Sequence, residues 1–500
     1  MTASSMTVST GTTMARAVWF LPFFALLLYF PYLNAGYFSD DFLFYYNSPP
    51  AHLYSYFSST GAVAHAYRPL EAIVLTIIQE RFAFQTWPIH ALAVSALMIL
   101  CALVIAAAAR LGYSPAEGAL AGALVLVTQV GPPAVLGNDT LSQAMSSLLG
   151  FSSVFLFCSA FFKGSLERRP HLSTGRFWLS VLCFTASLFF KETALGFSLI
   201  LCAIAYAATP RQNRLTARIA AAVTRLIPFG LAGIVYLAAR IHAGGEFGSE
   251  AGGYKMRAGS NVIQNLALFA AGAVSPVSSV SVTRAGQTGG TTMQAIAVAV
   301  ILLIAAAIVW GIVATPRKQL VLWLLGCSLA ALFPAFLLPH VSELYFFNAV
   351  PFAGLLFGLA LGSLWKRNVA AKAAAIACVA LLIGGQTFAC IQKSSLMREN
   401  GRRASALVSG LAPRIRSMPD GGHIFLVQPP GARLKYSVYL LEGFDVLEFG
   451  ASRLGDIFGR PDVEVSIVED QQARASSPDF RALLLGLDGN ALRVWTPLGP

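Results

Sequence analysis

Residues 87–109 read WPIHALAVSALMILCALVIAAAA, a run of 23 residues without a single Asp, Glu, Lys or Arg. An α-helix needs about 20 consecutive apolar residues to cross the hydrocarbon core of a bilayer, so this run is long enough to span a membrane. Composition agrees, because 56% of the 500 residues are hydrophobic and only 12% are charged. A water-soluble protein of this size does not need so much apolar surface.

Ten further apolar runs meet or approach this length. They are Ala15–Tyr32, Ala116–Val130, Leu141–Phe162, Phe177–Phe190, Ala194–Ala208, Ile219–Ala239, Ala295–Thr315, Leu320–Leu338, Leu344–Trp365 and Ala370–Cys390. The sequence therefore predicts an α-helical polytopic membrane protein with about eleven transmembrane helices. We interpret the first run as an uncleaved span, because no small-residue cleavage site follows it. The polar residues 1–14 ahead of it are expected to be disordered.

The net charge of +12 is concentrated in alternate loops. The basic residues lie in the loops that contain Lys163–Arg176, Arg211–Arg218, Arg317-Lys318 and Lys366–Lys372, whereas the loops around residues 132–138 and 339–342 contain no Lys or Arg. The positive-inside rule places the basic loops in the cytoplasm, and hence Asp40, Lys191 and Glu343 on the extracytoplasmic face. A basic surface for anionic lipids is compatible with the same pattern. Neither interpretation calls for a nucleic acid partner.

Two adjacent carboxylates, Asp40 and Asp41, follow the first span. Charged groups at the end of a membrane helix are costly to place and are candidates for function. The two side chains diverge in a strand and in a helix, which argues for divided roles. One acid would accept a proton, since partial desolvation makes a carboxylate a stronger base. The other would orient a neighbour, bind a sugar hydroxyl or hold a metal. The alternative is a solvated pair that keeps the span from sliding inward.

Several other residues are candidates at the same face. The planar guanidinium of Arg68 suits phosphate oxygens, although it could equally pair with Glu71 or the aspartates. Lys191 and Glu192 lie between two apolar runs, where charges need a partner or a cavity. The alternative for this pair is a structural role at the junction of two helices. Glu343 begins another span and is a weaker candidate of the same kind.

The loops and the C-terminal region have patterns of their own. An amphipathic helix is predicted within the first outer loop at Leu70–Ile78, after Pro69. The Gly-, Ser- and Thr-rich loop Ile241–Thr292 is expected to be mobile in part. Alternating segments near the C-terminus predict strands at His423–Gln428 and Val463–Val468, and a hairpin formed by Ala482–Leu487 and Ala491–Trp495. We therefore expect a small C-terminal α/β extracytoplasmic domain.

Four motifs occur in order along the chain: Ser39-Asp40-Asp41-Phe42, Tyr67-Arg68-Pro69-Leu70, Lys191-Glu192-Thr193-Ala194 and Glu343-Leu344-Tyr345. Together they resemble the polytopic GT-C glycosyltransferases, in particular the protein O-mannosyltransferase-like and related bacterial members. The resemblance implies a GT-C-like membrane domain over residues 15–390, with a catalytic first outer loop at 35–86 and a soluble domain at 391–500. Many members have Asp-Glu in place of Asp-Asp, and the arginine that often follows the glutamate is absent from the Glu-Leu-Tyr segment.

The resemblance also implies an activity: inverting transfer of a sugar from a polyprenyl-phosphate donor to a glycan, lipid or protein acceptor. Asp40 or Asp41 would be the base, and Arg68 and Lys191 would bind the donor phosphate. The implied substrate-binding residues are Tyr67, Glu192, His340, Glu343 and Tyr345. Metal dependence differs among relatives, so a divalent metal stays open. The expected location is the bacterial inner membrane, with lipid around the helices and the active site on the extracytoplasmic face.

Other functions fit the sequence in part. A transporter or flippase for a lipid-linked saccharide is the main alternative, although transporters usually place charges near the bilayer midplane and often show repeated halves. A ligase or polymerase of surface glycans would share the donor type, and a non-enzymatic scaffold would use the C-terminal domain to bind a partner.

Overall fold

The structure, a computed structural model, describes residues 16, 18–46, 52–60, 67–163, 167–168, 172–209, 214–245, 256–339, 341–428, 438–469, 482–488 and 491–495. The predicted disordered segment 1–14 and the candidate His340 lie outside these ranges.

Helices make up most of the described chain. They are α1 (Val18–Tyr32), α2 (Pro69–Phe82), α3 (Trp87–Arg110), α4 (Pro115–Val127), α5 (Gly131–Leu136), α6 (Leu141–Phe161), α7 (Thr174–Phe190), α8 (Leu195–Ala207), α9 (Leu215–His242), α10 (Ser260–Val274), α11 (Ser279–Gln287), α12 (Thr291–Ala314), α13 (Lys318–Ala331), α14 (Glu343–Phe346), α15 (Val350–Trp365), α16 (Val369–Ser417) and α17 (Leu454–Ile457). Short 3₁₀ turns occur at Ser39–Phe44, Leu53–Phe57, Glu192–Ala194, Ala335–Leu337, Gly443–Leu447 and Ala451–Arg453.

Each of the eleven predicted apolar runs coincides with a helix, so the predicted helical fold class is confirmed. Within the described residues, five helices are long and apolar enough to cross a membrane: α3, α6, α9, α12 and α16. The other six runs correspond to shorter apolar helices. The helix predicted after Pro69 is also present as α2, with Pro69 as its first residue.

The loop Ile241–Thr292 is more ordered than its composition suggested. It contains α10 and α11, which meet at a bend of 115° and count as one span if taken together. The carbonyl of Ser275 at the bend accepts hydrogen bonds from Gln129 Nε2 at 3.2 Å and Gln386 Nε2 at 2.7 Å. The bend is therefore fixed by partners that are remote in sequence, which local composition does not reveal. Of this loop, residues 246–255 lie outside the described ranges.

Residues from two of the basic loops lie at one end of the helix bundle. Arg317 donates to the carbonyl oxygens of Leu111 and Gly112 at 3.1 and 2.9 Å. Lys366 binds Glu117 in the first turn of α4 at 2.8 Å. The opposite end of α4 leads to Gln129 and to the carboxylates described below. The bundle thus has a basic end and an end that carries the candidate site.

Two strands of two residues each, β1 (Phe162–Lys163) and β2 (Glu167–Arg168), form a short antiparallel pair. A four-stranded sheet forms near the C-terminus from β3 (His423–Gln428), β4 (Glu464–Glu469), β5 (Ala482–Asp488) and β6 (Ala491–Val494). Its order is β4-β3-β5-β6, with β3 parallel to β4 and β5, and β6 antiparallel to β5. All four predicted strands are present. Helix α16 continues without interruption through residue 390, where the sequence placed the start of the domain.

The sheet region rests on the first outer loop. The turns Gly443–Leu447 and Ala451–Arg453 both pack against the turn Ser39–Phe44. Gly450 lies between them, and a Cβ atom there would be 2.5 Å from Phe42 Cβ and 2.7 Å from the Ser39 carbonyl oxygen. The C-terminal region therefore lies at the same end of the bundle as the two aspartates.

Candidate active site

Asp41 is a buried, fully bonded carboxylate. It is 2% exposed, and its Oδ1 accepts from the backbone N–H groups of Asn138 at 2.8 Å and Asp139 at 3.1 Å. Its Oδ2 accepts from the Asn138 side chain at 2.9 Å and from the Phe38 N–H at 3.2 Å. Each carboxylate oxygen thus has two donors, so Asp41 has no lone pair left for a substrate and instead holds two loops together.

Asp40 has a different environment. Its Oδ1 accepts from Ser39 Oγ at 2.9 Å, and the side chain is partly exposed. Ser39 has a φ of 51°, in the left-handed region that non-glycine residues seldom adopt, and such strain often accompanies functional sites. Burial of the carboxyl group and the nearby charge of Asp139 raise the pKa of Asp40 to about 7. The pKa of Asp41 is also raised by burial, so exposure is what distinguishes the two acids, and the more exposed Asp40 is the candidate proton acceptor.

Asp139 is a third carboxylate at the site that was not predicted from the sequence. Burial raises its pKa, while Lys191 and Arg68 oppose that shift. Asp139 therefore lies within electrostatic range of both the acid pair and the predicted cations. Its one sequence signal was its position as the single charge in an outer loop without Lys or Arg. Among the described residues, no group of three or more His, Cys, Asp or Glu side chains is arranged to hold a metal ion.

The two predicted cations, Arg68 and Lys191, lie in the same group of charged residues as Asp139. Arg68 Nη1 is 3.6 Å from Glu71 Oε2, and Nη2 is 3.5 Å from Glu192 Oε1. Glu71 is fully buried and accepts from the Ser142 N–H at 2.7 Å. Burial raises the pKa of Glu71 to about 7, although Arg68 and Lys191 both oppose this. The predicted alternative for Arg68, pairing with Glu71, is thus present together with a contact to Glu192.

Lys191 connects α7 to the turn Glu192–Ala194 in extended backbone conformation. It is 2% exposed and lies within electrostatic range of Arg68, Glu192 and Asp139. Within the described part of the chain, however, its ammonium group makes no hydrogen bond or ion pair. A buried ammonium group costs free energy unless it is paired. Its position at the junction of two helices agrees with the predicted structural alternative.

The remaining candidates differ in access. Tyr67 is completely buried, and its hydroxyl donates to the Phe57 carbonyl oxygen at 2.8 Å, so it packs the loop and presents no group to a substrate. Tyr345 is also buried. Glu343 is 29% exposed and is bound by Lys393 at 2.6 Å.

A further cation near this cluster was not predicted. Arg240, at the end of α9, is buried and donates from Nη1 to the Tyr236 hydroxyl at 3.1 Å. It lies within electrostatic range of Glu192. Its place among the last residues of a span gave no sequence signal that separated it from an ordinary helix-end charge.

Comparison with known proteins finds similar solved structures. No family model matches the sequence, and no curated protein matches it. The chain is similar to ArnT from Cupriavidus metallidurans. The structure bound to undecaprenyl phosphate has a TM-score of 0.44, and the apo structure has a TM-score of 0.47. Each is 14% identical, with 97% of this chain and 93% of that chain covered. Neither comparison assigns a role to a residue of this chain.

Proposed function

We propose that this protein is a GT-C-type membrane glycosyltransferase that transfers a sugar from a polyprenyl-phosphate donor to an acceptor hydroxyl with inversion. The observation that carries the proposal is the presence, around Asp139, of an unbonded, buried ammonium group on Lys191 and a partly exposed carboxyl group on Asp40. Asp139 lies within electrostatic range of both. A site of this kind offers one group for an anion and one for a proton.

The cationic side supports binding of the donor phosphate. Negative charge grows on the phosphate as its bond to the anomeric carbon breaks, and nearby cations stabilise that charge. Lys191 supplies a point charge, and Arg68 supplies a planar fork that is anchored by Glu71 and Glu192. The carboxylates around Arg68 orient the guanidinium, so little ordering is needed when the donor binds.

The acidic side supports a general base. Asp40 would accept the proton of the acceptor hydroxyl while the hydroxyl oxygen bonds to the anomeric carbon. The carbon–oxygen bond to the phosphate breaks on the opposite face, which inverts the anomeric centre, and polyprenyl phosphate leaves. A carboxyl pKa near neutrality suits this role, because the group is then both ionised and basic enough.

An apolar groove of about 300 Å³ supports a lipid-linked donor. It lies between α8 and α13 and is lined by Leu199, Ile200, Ala203, Leu322, Trp323, Gly326, Cys327 and Ala330. Helix α8 begins four residues after Lys191. The first residue that lines the groove, Leu199, therefore lies one to two helical turns further along the chain than Lys191. We assign this groove to the polyprenyl tail, with its phosphate at Lys191.

The test measures sugar release from a polyprenyl-phosphate donor by the purified protein. Asp40→Asn should abolish transfer while donor binding is retained, because the amide cannot accept the proton at neutral pH. Asp420→Asn is a matched control, since Asp420 is fully exposed. Unaltered turnover by Asp40→Asn would refute the assignment of the base.

The same assay separates the enzyme from a transporter or flippase, which would move the donor without releasing sugar. The gathering of charges at one end of the bundle favours the enzyme, because transporter sites usually lie near the midplane. The bacterial inner membrane and an extracytoplasmic site remain part of the proposal, in line with the basic loops at the opposite end.

A further inference from the structure

A second charged cluster is built around Lys393 on α16. The ammonium group is fully buried and donates to Glu343 Oε2 at 2.6 Å. It also donates to Gln129 Oε1 at 3.0 Å and to the Gln129 carbonyl oxygen at 3.1 Å. The Tyr439 ring lies 5.2 Å from Nζ, and its hydroxyl is 3.3 Å from the same Glu343 oxygen. Lys393 thus has an acceptor for each of its three N–H groups.

Only one of the two carboxylate oxygens of Glu343 accepts hydrogen bonds from described residues. Oε2 accepts from Lys393 and Tyr439, whereas Oε1 has no partner among the described residues, and the side chain is 29% exposed. Such a carboxylate is a preorganised hydrogen-bond acceptor. Because Lys393 already balances its charge, the pair needs no further cation. This arrangement suits a neutral hydroxyl donor better than an ammonium group.

The cluster is close to the acid pair without touching it. Helix α5 separates the two sites: Gln129 precedes it beside Lys393, and Asn138 follows it and binds Asp41. Glu343 belongs to α14, which packs against α5. A helix of six residues is about 9 Å long, so the Gln129 and Asn138 ends of α5 lie on the order of 10 Å apart. This separation suits a second sugar ring or another remote part of a substrate.

We propose that Glu343 binds a hydroxyl of a saccharide acceptor at a position remote from the reacting hydroxyl, a proposal that rests on the proposed function. Lys393 and Tyr439 are positioning residues, because they act through Glu343. Tyr439 belongs to the C-terminal region that rests on the first outer loop, so an acceptor arriving from the aqueous side meets Glu343 beside this region. The donor phosphate is assigned to Lys191, which leaves Glu343 for the acceptor.

The test measures saccharide binding to the full-length protein in a detergent without a sugar headgroup. The probes are methyl α-D-mannopyranoside, methyl β-D-glucopyranoside and methyl β-D-galactopyranoside, followed by saturation-transfer NMR. At least one should bind the wild-type protein, and its affinity should fall about tenfold in Glu343→Gln, because a hydrogen bond to a charged group is lost. Tyr439→Phe should weaken binding severalfold. Equal binding by wild type and Glu343→Gln, or no binding of any probe to the wild type, would overturn the proposal.

Two further variants distinguish a loss of saccharide binding from a folding defect. Glu343→Asp keeps a counter-charge for Lys393 but withdraws the carboxylate by one carbon, so probe binding should weaken while thermal stability stays near wild type. Glu399→Gln is the matched control, because Glu399 lies on α16 with Lys393 and, among the described residues, pairs only with the side chains of Arg402 and Arg403. It should leave probe binding unchanged.

Donor consumption distinguishes this proposal from the proposed function. The wild-type protein should release sugar from the donor, and Glu343→Gln should raise the KM for a saccharide acceptor. Loss of probe binding in a protein that consumes no donor would support the acceptor site and refute the transferase. Equal probe binding in an active enzyme would refute the acceptor site alone.

Discussion

Asn138 binds Asp41 at both carboxylate oxygens, through its backbone N–H to Oδ1 at 2.8 Å and its side-chain amide to Oδ2 at 2.9 Å. We predict that Asp41→Asn lowers stability strongly. An amide group must turn its NH₂ toward two of the four donors that now face the carboxylate, and charged hydrogen bonds contribute about 1.5–3 kcal/mol each. Asn138→Ala should cost less, because the backbone bond remains. Thermal unfolding in detergent measures both, and wild-type stability of Asp41→Asn would contradict the structural role of Asp41.

Asp40 should set the acidic limb of the pH–rate profile. Burial and the charge of Asp139 raise the pKa of Asp40 to about 7. A general base must be ionised, so kcat/KM should fall as the pH drops through about 7 and reach a plateau above it. Asp139→Asn removes one negative neighbour, lowers the pKa of Asp40 and should shift this limb to lower pH. A midpoint that does not move in Asp139→Asn would show that another group titrates.

Lys191 and Arg68 should act on donor affinity. Lys191→Met removes the unbonded ammonium group and is expected to raise the donor KM at least tenfold. Arg68→Lys keeps the charge but loses the fork, so a smaller increase is expected. Lys366→Met is the matched control, because Lys366 is exposed and binds Glu117 at the basic end of the bundle. A donor KM that changes equally in Lys191→Met and Lys366→Met would argue against a phosphate contact.

Much of the fold could be predicted because its signals are local. Long apolar runs predict helices from their length alone, and the strands near the C-terminus follow from alternation and from the turn at Asp488-Gly489-Asn490. The acid pair was found for a similar reason, since a charge beside an apolar run stands out. Arg68 and Lys191 were found in the same way, and the structure brings both within range of Asp139.

The partners of these groups could not be predicted, because they depend on contacts remote in sequence. Asn138 and Asp139 lie almost 100 residues after the acid pair and carry no motif. Lys393 begins a basic, polar segment, yet the helix continues through it and buries it completely. The bent helices α10 and α11 were missed because their Gly, Ser and Thr content is typical of a loop.

The groove between α8 and α13 predicts a dependence on the length of the donor chain. Gly326 lines it, and a Cβ atom there would meet no other atom within 4 Å. Gly326→Phe should therefore fold and fill the groove. We expect the KM to rise for a long polyprenyl-phosphate donor and to stay unchanged for a donor with a ten-carbon chain. Gly384→Phe is the control, since Gly384 is equally open but lies on α16, away from the groove. Equal effects on both donors would argue against a tail site here.

Gly450 predicts that the C-terminal region governs the geometry of the base. A Cβ atom at this position would be 2.5 Å from Phe42 Cβ and 2.7 Å from the Ser39 carbonyl oxygen. Gly450→Val should therefore push the turn Ser39–Phe44 away and move Asp40. Because a small displacement of a reacting group lowers the rate strongly, transfer should fall at least a hundredfold. Donor binding should persist. Ser452→Val is the control, because Ser452 is exposed in the adjoining turn. Turnover by Gly450→Val at the rate of Ser452→Val would show that the C-terminal region can separate from the loop without effect on catalysis.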